Sequence, residues 1–282
     1  LIKKYIDTIY WCWVLLVNMI FDYTTLTDLA NTHAQSYQNT EPYPYIQFDN
    51  FAQTDAANAA LDAFPSPDSM AFYKYDNPLE KKLGMDRLSV LPEPIVAILQ
   101  ELNSAQFLNF LEALTGIEGL IPDPYYRGGG IHQSQRGGKL DIHIDFNIHP
   151  KLKLHRRLNG ILYLNKDWED DYGGFFDIWD GHQDANNQHV LTKKMASVAP
   201  LFNRFVLFNT SERSYHGFPD PIQCPESMTR KSIAVYYYTA LESSVTLPAH
   251  STTFIGRPDD PKNPELDALR EQRNRGRLAS NL

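Results

Sequence analysis

The stretch Leu140-Asp141-Ile142-His143-Ile144-Asp145-Phe146 governs the reading of this chain. On an extended strand, alternate side chains share a face, so His143 and Asp145 stand together and Ile142 and Ile144 share the opposite side. An imidazole and a carboxylate side by side, with apolar packing behind them, suit the interior of a barrel. One distant histidine would complete a two-His, one-carboxylate face on a metal, which leaves coordination positions open and suits non-haem Fe(II) oxygen chemistry. His216, in Ser214-Tyr215-His216-Gly217-Phe218 after the apolar run Phe205-Val206-Leu207-Phe208, is the best third ligand. A second His-x-Asp triplet, His182-Gln183-Asp184, sits in a turn-rich segment without alternation and reads as a solvated loop.

Short strands separated by Gly, Asn, Asp and Pro surround this stretch. Candidates are 131–136, 139–145, 158–164, 174–179, 189–191, 204–209 and 230–239, a pattern expected of a β-sandwich or barrel. Arg136-Gly137-Gly138-Lys139 reads as a hairpin turn. Before Pro122-Asp123-Pro124 the periodicity is helical over 24–38, 53–63 and 94–115, with one short strand at 45–48 and an irregular stretch at 65–91. The fold class is therefore mainly β with flanking helices (α+β). The expected divisions are an apolar segment 1–21, a helical part 22–120, a β core 121–242 and a charged, mobile tail 243–282.

An open iron site needs a partner that chelates the metal and supplies electrons, as a 2-oxoacid does through its keto oxygen and carboxylate. A dicarboxylate also needs a cation at its far end. In Arg230-Lys231-Ser232-Ile233-Ala234-Val235, alternation puts Arg230, Ser232 and Ala234 on one face, a carboxylate clamp with room beside it. Tyr163, in Ile161-Leu162-Tyr163-Leu164, can add a phenol hydrogen bond.

Gly130-Ile131-His132-Gln133, His143-Ile144-Asp145-Phe146-Asn147, Tyr163-Leu164-Asn165-Lys166-Asp167-Trp168, Tyr172-Gly173-Gly174, Phe208-Asn209-Thr210, Tyr215-His216-Gly217 and Arg230-Lys231-Ser232 follow one another in an order that resembles the iron(II)/2-oxoglutarate-dependent oxygenases of the prolyl 4-hydroxylase-like group. The resemblance spans 125–240, and 42–51 more loosely. It implies a double-stranded β-helix, a jelly-roll barrel with N-terminal helices. It also implies Fe(II) held by His143, Asp145 and His216, 2-oxoglutarate held by Arg230, Ser232 and Tyr163, O2 as oxidant, and Gln133 as a contact to cosubstrate or substrate. Asp145 favours hydroxylation, since Gly or Ala there would suggest a halogenase. The basic residue follows the second His by fourteen positions rather than the group's usual ten or so, across a Pro-punctuated loop, Asp220–Glu226.

The implied activity is hydroxylation of an unactivated C–H bond with release of succinate and CO2. A prolyl residue, a free amino acid and a small metabolite all stand as substrates, so the partner is a small molecule or a peptide. Two other classes are weighed: a different metalloenzyme on a similar barrel, which would not need the Arg230/Ser232 clamp, and a non-catalytic barrel binding a partner through Lys151–Arg157. That basic run reads as a solvated loop or strand edge that could steer an acidic substrate. Ascorbate dependence and oligomeric state are left open.

The charge balance is acidic, with 26 Lys and Arg against 34 Asp and Glu among 282 residues, a net −8. That argues against nucleic acid as a partner. Two cysteines, Cys12 and Cys224, exclude a disulfide framework and fit a reducing, cytoplasmic setting. The apolar run 9–21 is short for a membrane span. It reads as sequence upstream of a start at Met19, which makes 1–18 dispensable. A secretory signal or membrane anchor is the alternative, a buried helix the third reading.

Overall fold

The computed structural model describes residues 19–241 and 248–276; the expectations on residues 1–18 fall outside them. In chain order the elements are α1 (Tyr23–Gln38), β1 (Tyr45–Phe48), α2 (Thr54–Asp62), β2 (Tyr73–Asn77), β3 (Glu80–Met85), α3 (Glu93–Leu102), α4 (Ala105–Thr115), β4 (Ile121–Pro122), β5 (Gly130–Ser134), β6 (Lys139–Ile144), β7 (His155–Tyr163), β8 (Phe176–Gln183), β9 (His189–Val198), β10 (Arg204–Asn209), β11 (Tyr215–Phe218), β12 (Arg230–Thr239), β13 (Thr253–Phe254) and α5 (Pro264–Gly276). Strands pair in the order β1-β10-β7-β12-β5-β3-β6-β11-β8-β9, all antiparallel, and curl into the double-stranded β-helix that the sequence implied.

Alternation sets the layers. Ile233, Val235 and Tyr237 of β12, Phe205 and Leu207 of β10 and Leu158 and Leu162 of β7 turn outward. There they meet Ile95, Ile98, Leu99, Phe107 and Leu111 of α3 and α4 in the main core. Complete burial of each such side chain is worth about 1.5–3 kcal/mol. The intervening residues, Arg230, Ser232, Ala234 and Tyr236 on β12, turn into the barrel. The helices end where local chemistry stops them. Asp22 caps α1 by accepting from the N–H groups of Thr24 and Thr25. The helix expected over 94–115 divides at Asn103-Ser104, because extended Ser104 caps a new helix by accepting from Phe107 N–H.

Three sequence expectations change. Residues 65–91 are not irregular: β2 and β3 form a hairpin with Tyr75 opposite Lys82 and Asp76 opposite Lys81. Arg136–Lys139 is a turn, with Gly138 N–H bonded to Gln135 O, but β5 and β6 do not pair as a hairpin. β3 inserts between them, pairing β5 through Leu83–Met85 and β6 through Glu80 and Lys81. The described part of the expected mobile tail is docked: β13 pairs β6, and α5 is fixed by Arg270 to Asp141, 3.1 Å, and by Arg273 to Glu80. Ion pairs hold it, so its low apolar content misled the reading. Among the described residues no helix is long and apolar enough to cross a membrane.

Candidate active site

β6 and β11 run side by side and bring His143 opposite His216. The register slips between this pair and Leu140–Phe218, so Leu140 and His143, three apart, both face inward. Gly217 makes the slip possible: a Cβ there would lie 2.7 Å from Leu140 O and 2.9 Å from Asp141 O. Behind β6, Ile142 and Ile144 pack with Trp179, Leu191 and Tyr215, which fixes the strand's rotation.

The donor set fits a metal by its tautomers. His143 Nδ1 lies 2.9 Å from Asp141 O, and His216 Nδ1 lies 2.8 Å from Ser214 O. A carbonyl only accepts, so each Nδ1 carries the proton and each Nε2 presents a bare lone pair. Both Nε2 atoms face Asp145, at 3.7 and 3.5 Å, too far for hydrogen bonds. Ligand atoms of the three residues lie within 4.8 Å of one another. Burial, then the neighbouring imidazole, pushes His143 down to about 3, and burial lowers His216 as well. Both rings are therefore neutral near pH 7, as metal ligation requires.

Asp145 is oriented by residues that the sequence reading treated as solvated or did not name. Arg156, 1% exposed, donates to Asp145 Oδ2 at 3.0 Å, and Asn159 donates to the same oxygen at 3.2 Å. The guanidinium stacks 3.5 Å over the Tyr236 ring centroid, with Phe146 at 4.7 Å. Both donors use Oδ2, which leaves Oδ1 for a metal. Burial works against the Asp145 charge, but Arg156, with the Asn159 hydrogen bond, outweighs it and holds the carboxyl well below the usual range.

The residues expected to form the clamp meet at the inner face of β12. Arg230 Nε donates to Gly174 O at 2.6 Å and Nη2 to Tyr163 Oη at 3.1 Å, which uses two of the five guanidinium N–H groups. Phe218 and Tyr163 flank the guanidinium at 4.3 and 4.8 Å. Gly174 has φ +68°, and its carbonyl reaches Arg230 from that left-handed conformation. Ser232, buried, sits two residues on, opposite Tyr163 on β7. A buried fork with free N–H groups, a phenol and a hydroxyl fit a carboxylate. Lys231 turns to the other face, its Nζ 3.4 Å from Thr229 O.

Gln133 is not brought to this site. It pairs with Lys231, on the face away from Arg230, and donates to Thr229 Oγ1 at 2.8 Å. His132, opposite Ser232 and Gly84, takes the inward position. Burial, then Lys82 and Arg230, lowers His132 to about 3. His182, on β8, is exposed and outside the metal-binding group. A cavity of about 830 Å³ opens over His143 and Asp145, walled by the β2–β3 hairpin and by residues 249–254. The loop 180–190 is not among its lining residues.

Part of the chain is similar to known proteins. Residues 129–238 match the 2OG-Fe(II) oxygenase superfamily. The mouse (Mus musculus) prolyl 3-hydroxylase OGFOD1 is 31% identical over 112 residues, 39% of this chain and 18% of that protein's length. The chain thus spans less than a fifth of that curated relative. Among solved structures, a prolyl hydroxylase from Trichoplax adhaerens, in complex with a hypoxia inducible factor oxygen degradation domain peptide fragment, has TM-score 0.52 and 18% identity, covering 76% of this chain and 91% of that one. A prolyl 4-hydroxylase structure from Phytophthora capsici has TM-score 0.50 and 17% identity, covering 91% of this chain and 75% of that one. These two share the fold. The stretch similar to the 2OG-Fe(II) oxygenase superfamily, residues 129–238, is the part of the barrel that carries His143, Asp145, His216 and Arg230.

Proposed function

We propose that the chain is an Fe(II)- and 2-oxoglutarate-dependent dioxygenase that hydroxylates an unactivated C–H bond, with a prolyl residue of a peptide as the favoured substrate. The observation that carries this reading is the convergence of two bare imidazole nitrogens and one carboxylate in a barrel whose inner face also bears the Arg230–Tyr163–Ser232 clamp. A zinc hydrolase would have no use for that clamp.

In this reading His143, Asp145 and His216 hold the metal, Arg156 and Asn159 orient Asp145, and Arg230 with Tyr163 and Ser232 fixes the far carboxylate of 2-oxoglutarate. Bound there, iron with 2-oxoglutarate and O2 supplies the oxidising power, and succinate and CO2 are the coproducts. The protein's own part is geometry and dryness: Phe176 and Phe208 pack their rings 5.3 and 4.6 Å from His216 and exclude water behind it. Burial raises the Tyr163 hydroxyl above its ordinary value, so it stays protonated and can donate to a carboxylate.

A prolyl substrate is supported by the matched stretch of a prolyl 3-hydroxylase, and a peptidyl one by the peptide bound in the Trichoplax structure. The test is mass spectrometry of proline-containing peptides, free proline and a metabolite pool after incubation with enzyme, Fe(II) and 2-oxoglutarate, with succinate measured in parallel. One added oxygen on a proline peptide, with matching succinate, is expected. Oxygen on a non-proline compound alone would remove the prolyl reading, and oxygen without succinate would remove the dioxygenase.

A further inference from the structure

The cavity holds a cation that neither the metal site nor the clamp accounts for. Lys82 lies on β3, two residues before Gly84, which pairs with inward-facing His132. Parity therefore turns Lys82 into the barrel, and it lines the same open space as His143 and Asp145. Its side chain is 17% exposed, and the Tyr75 ring lies 5.3 Å from its Nζ. Among the described residues the nearest carboxylate oxygen, Glu80 Oε2, is 3.8 Å away, beyond hydrogen-bond reach. Glu80 is moreover held from the other side by Arg273 of α5.

The charges around Lys82 are lopsided. Among the described residues three carboxylates line the open cavity: Asp145 is taken by Arg156, Glu80 by Arg273, and Asp86 remains. Against Asp86 stand Lys82 and, exposed at the rim, Arg127 and Lys153. A cationic funnel in a chain of net −8 is a local construction rather than a reflection of composition. Arg230 and Tyr163, which already answer the far carboxylate of 2-oxoglutarate, do not line this open part. Lys82 is thus left facing the space a substrate would fill. An ammonium with so little water around it gains most from an anionic partner.

We propose that the cavity selects a substrate bearing a carboxylate near the reacting carbon, with Lys82 as its inner anchor and Arg127 and Lys153 as the rim that draws it in. The inference rests on the oxygenase reading above. The carboxylate can be an acidic side chain of a peptide or belong to a small acid, and the test separates them.

Full-length protein loaded anaerobically with Mn(II) and 2-oxoglutarate is titrated calorimetrically with four probes: blocked Glu-Pro-Glu and Lys-Pro-Lys peptides, L-proline and prolinamide. Wild type should bind the acidic member of at least one pair about tenfold or more tighter than its partner. The preference should shrink as salt rises. Preference within the peptide pair identifies an acidic peptide, and preference within the proline pair a small acid. Lys82→Met should abolish the preference and Lys82→Arg should largely keep it, with 2-oxoglutarate affinity changed less than about threefold in both. Equal binding within both pairs, failure of both acidic probes to bind, or a preference that survives Lys82→Met would overturn the proposal. So would a Lys82→Met loss confined to 2-oxoglutarate affinity, which would assign the lysine to the cosubstrate. If wild type fails to bind 2-oxoglutarate at all, the oxygenase reading itself fails, a result distinct from these.

Discussion

On β6 and β12, every side chain assigned to metal or cosubstrate projects from a strand whose opposite face is buried in apolar packing: Ile142 and Ile144 behind His143, Ile233 and Val235 behind Arg230 and Ser232. The facing wall is built otherwise. The β2–β3 hairpin and the C-terminal strap, residues 248–254 with α5, carry few apolar residues and are tied down by Arg270–Asp141, Arg273–Glu80 and His250–Glu212. Apolar packing fixes rotation about a strand axis, which positions a ligand atom closely. Ion pairs nearer solvent, such as His250–Glu212 at 20% and 37% exposure, fix position loosely and can be exchanged without unfolding the core. The two walls thus match two tasks, reproducible chemistry on one side and adjustable substrate choice on the other.

If that contrast holds, the largest stability effect lies at the one ion pair sealed inside the rigid wall. Arg156→Met leaves the Asp145 carboxylate buried with Asn159 as its remaining side-chain donor. Urea unfolding of the metal-free protein should show a loss of about 3–5 kcal/mol. A loss below about 1 kcal/mol would mean that the buried pair is no more than a surface one. Arg270→Ala, in the other wall, should cost less, about 1–3 kcal/mol, because Lys139 Nζ still lies 2.7 Å from Asp141. Equal losses at the two arginines would erase the distinction between the walls.

The smallest effect is a pH response of the strap. Both ring nitrogens of His250 face acceptors, Ser251 O and Glu212 Oε1, each at 2.8 Å, which requires the imidazolium. Burial opposes that charge, but Glu212 prevails and His250 is raised above 6.5. A raised histidine contributes stability in full below its unfolded value and loses it as pH rises through the folded one. Hydrogen exchange over 248–254 should therefore speed up, beyond the intrinsic rise, as pH climbs above the unfolded value, while exchange in β12 should not. His250→Gln should remove that pH dependence; its persistence in the variant would assign it elsewhere.

The same contrast explains what could be read from the sequence. Alternation placed His143 with Asp145 and Arg230 with Ser232, and parity chose Arg230 over Lys231, because a half-buried strand writes its two faces into the chain. Gln133 rested on the resemblance alone, and its pairing with Lys231 was not legible because the register of β5 against β12 is tertiary. Arg156 read as part of a solvated basic run because its partner, Asp145, lies on another strand. The hairpin at 73–85 lacks an apolar period because its inward residues, Lys82 and Tyr75, face a polar cavity. α5 hid because Arg270 and Asp141 lie 129 residues apart, a pairing that no local pattern records.

The central claim is that one barrel interior holds a metal on His143, Asp145 and His216 and 2-oxoglutarate on Arg230. Its most direct test is an anaerobic titration of Fe(II) and 2-oxoglutarate, following the visible metal-to-ligand charge-transfer absorption of the chelate. Wild type should develop the band only with both present. His143→Ala and His216→Ala should abolish it and His182→Ala should leave it unchanged. Arg230→Ala should need about a hundredfold or more 2-oxoglutarate, the scale of a lost buried charge-assisted pair, and Lys231→Ala about the wild-type amount. A band that survives His143→Ala, or one that Lys231→Ala weakens and Arg230→Ala does not, would contradict it.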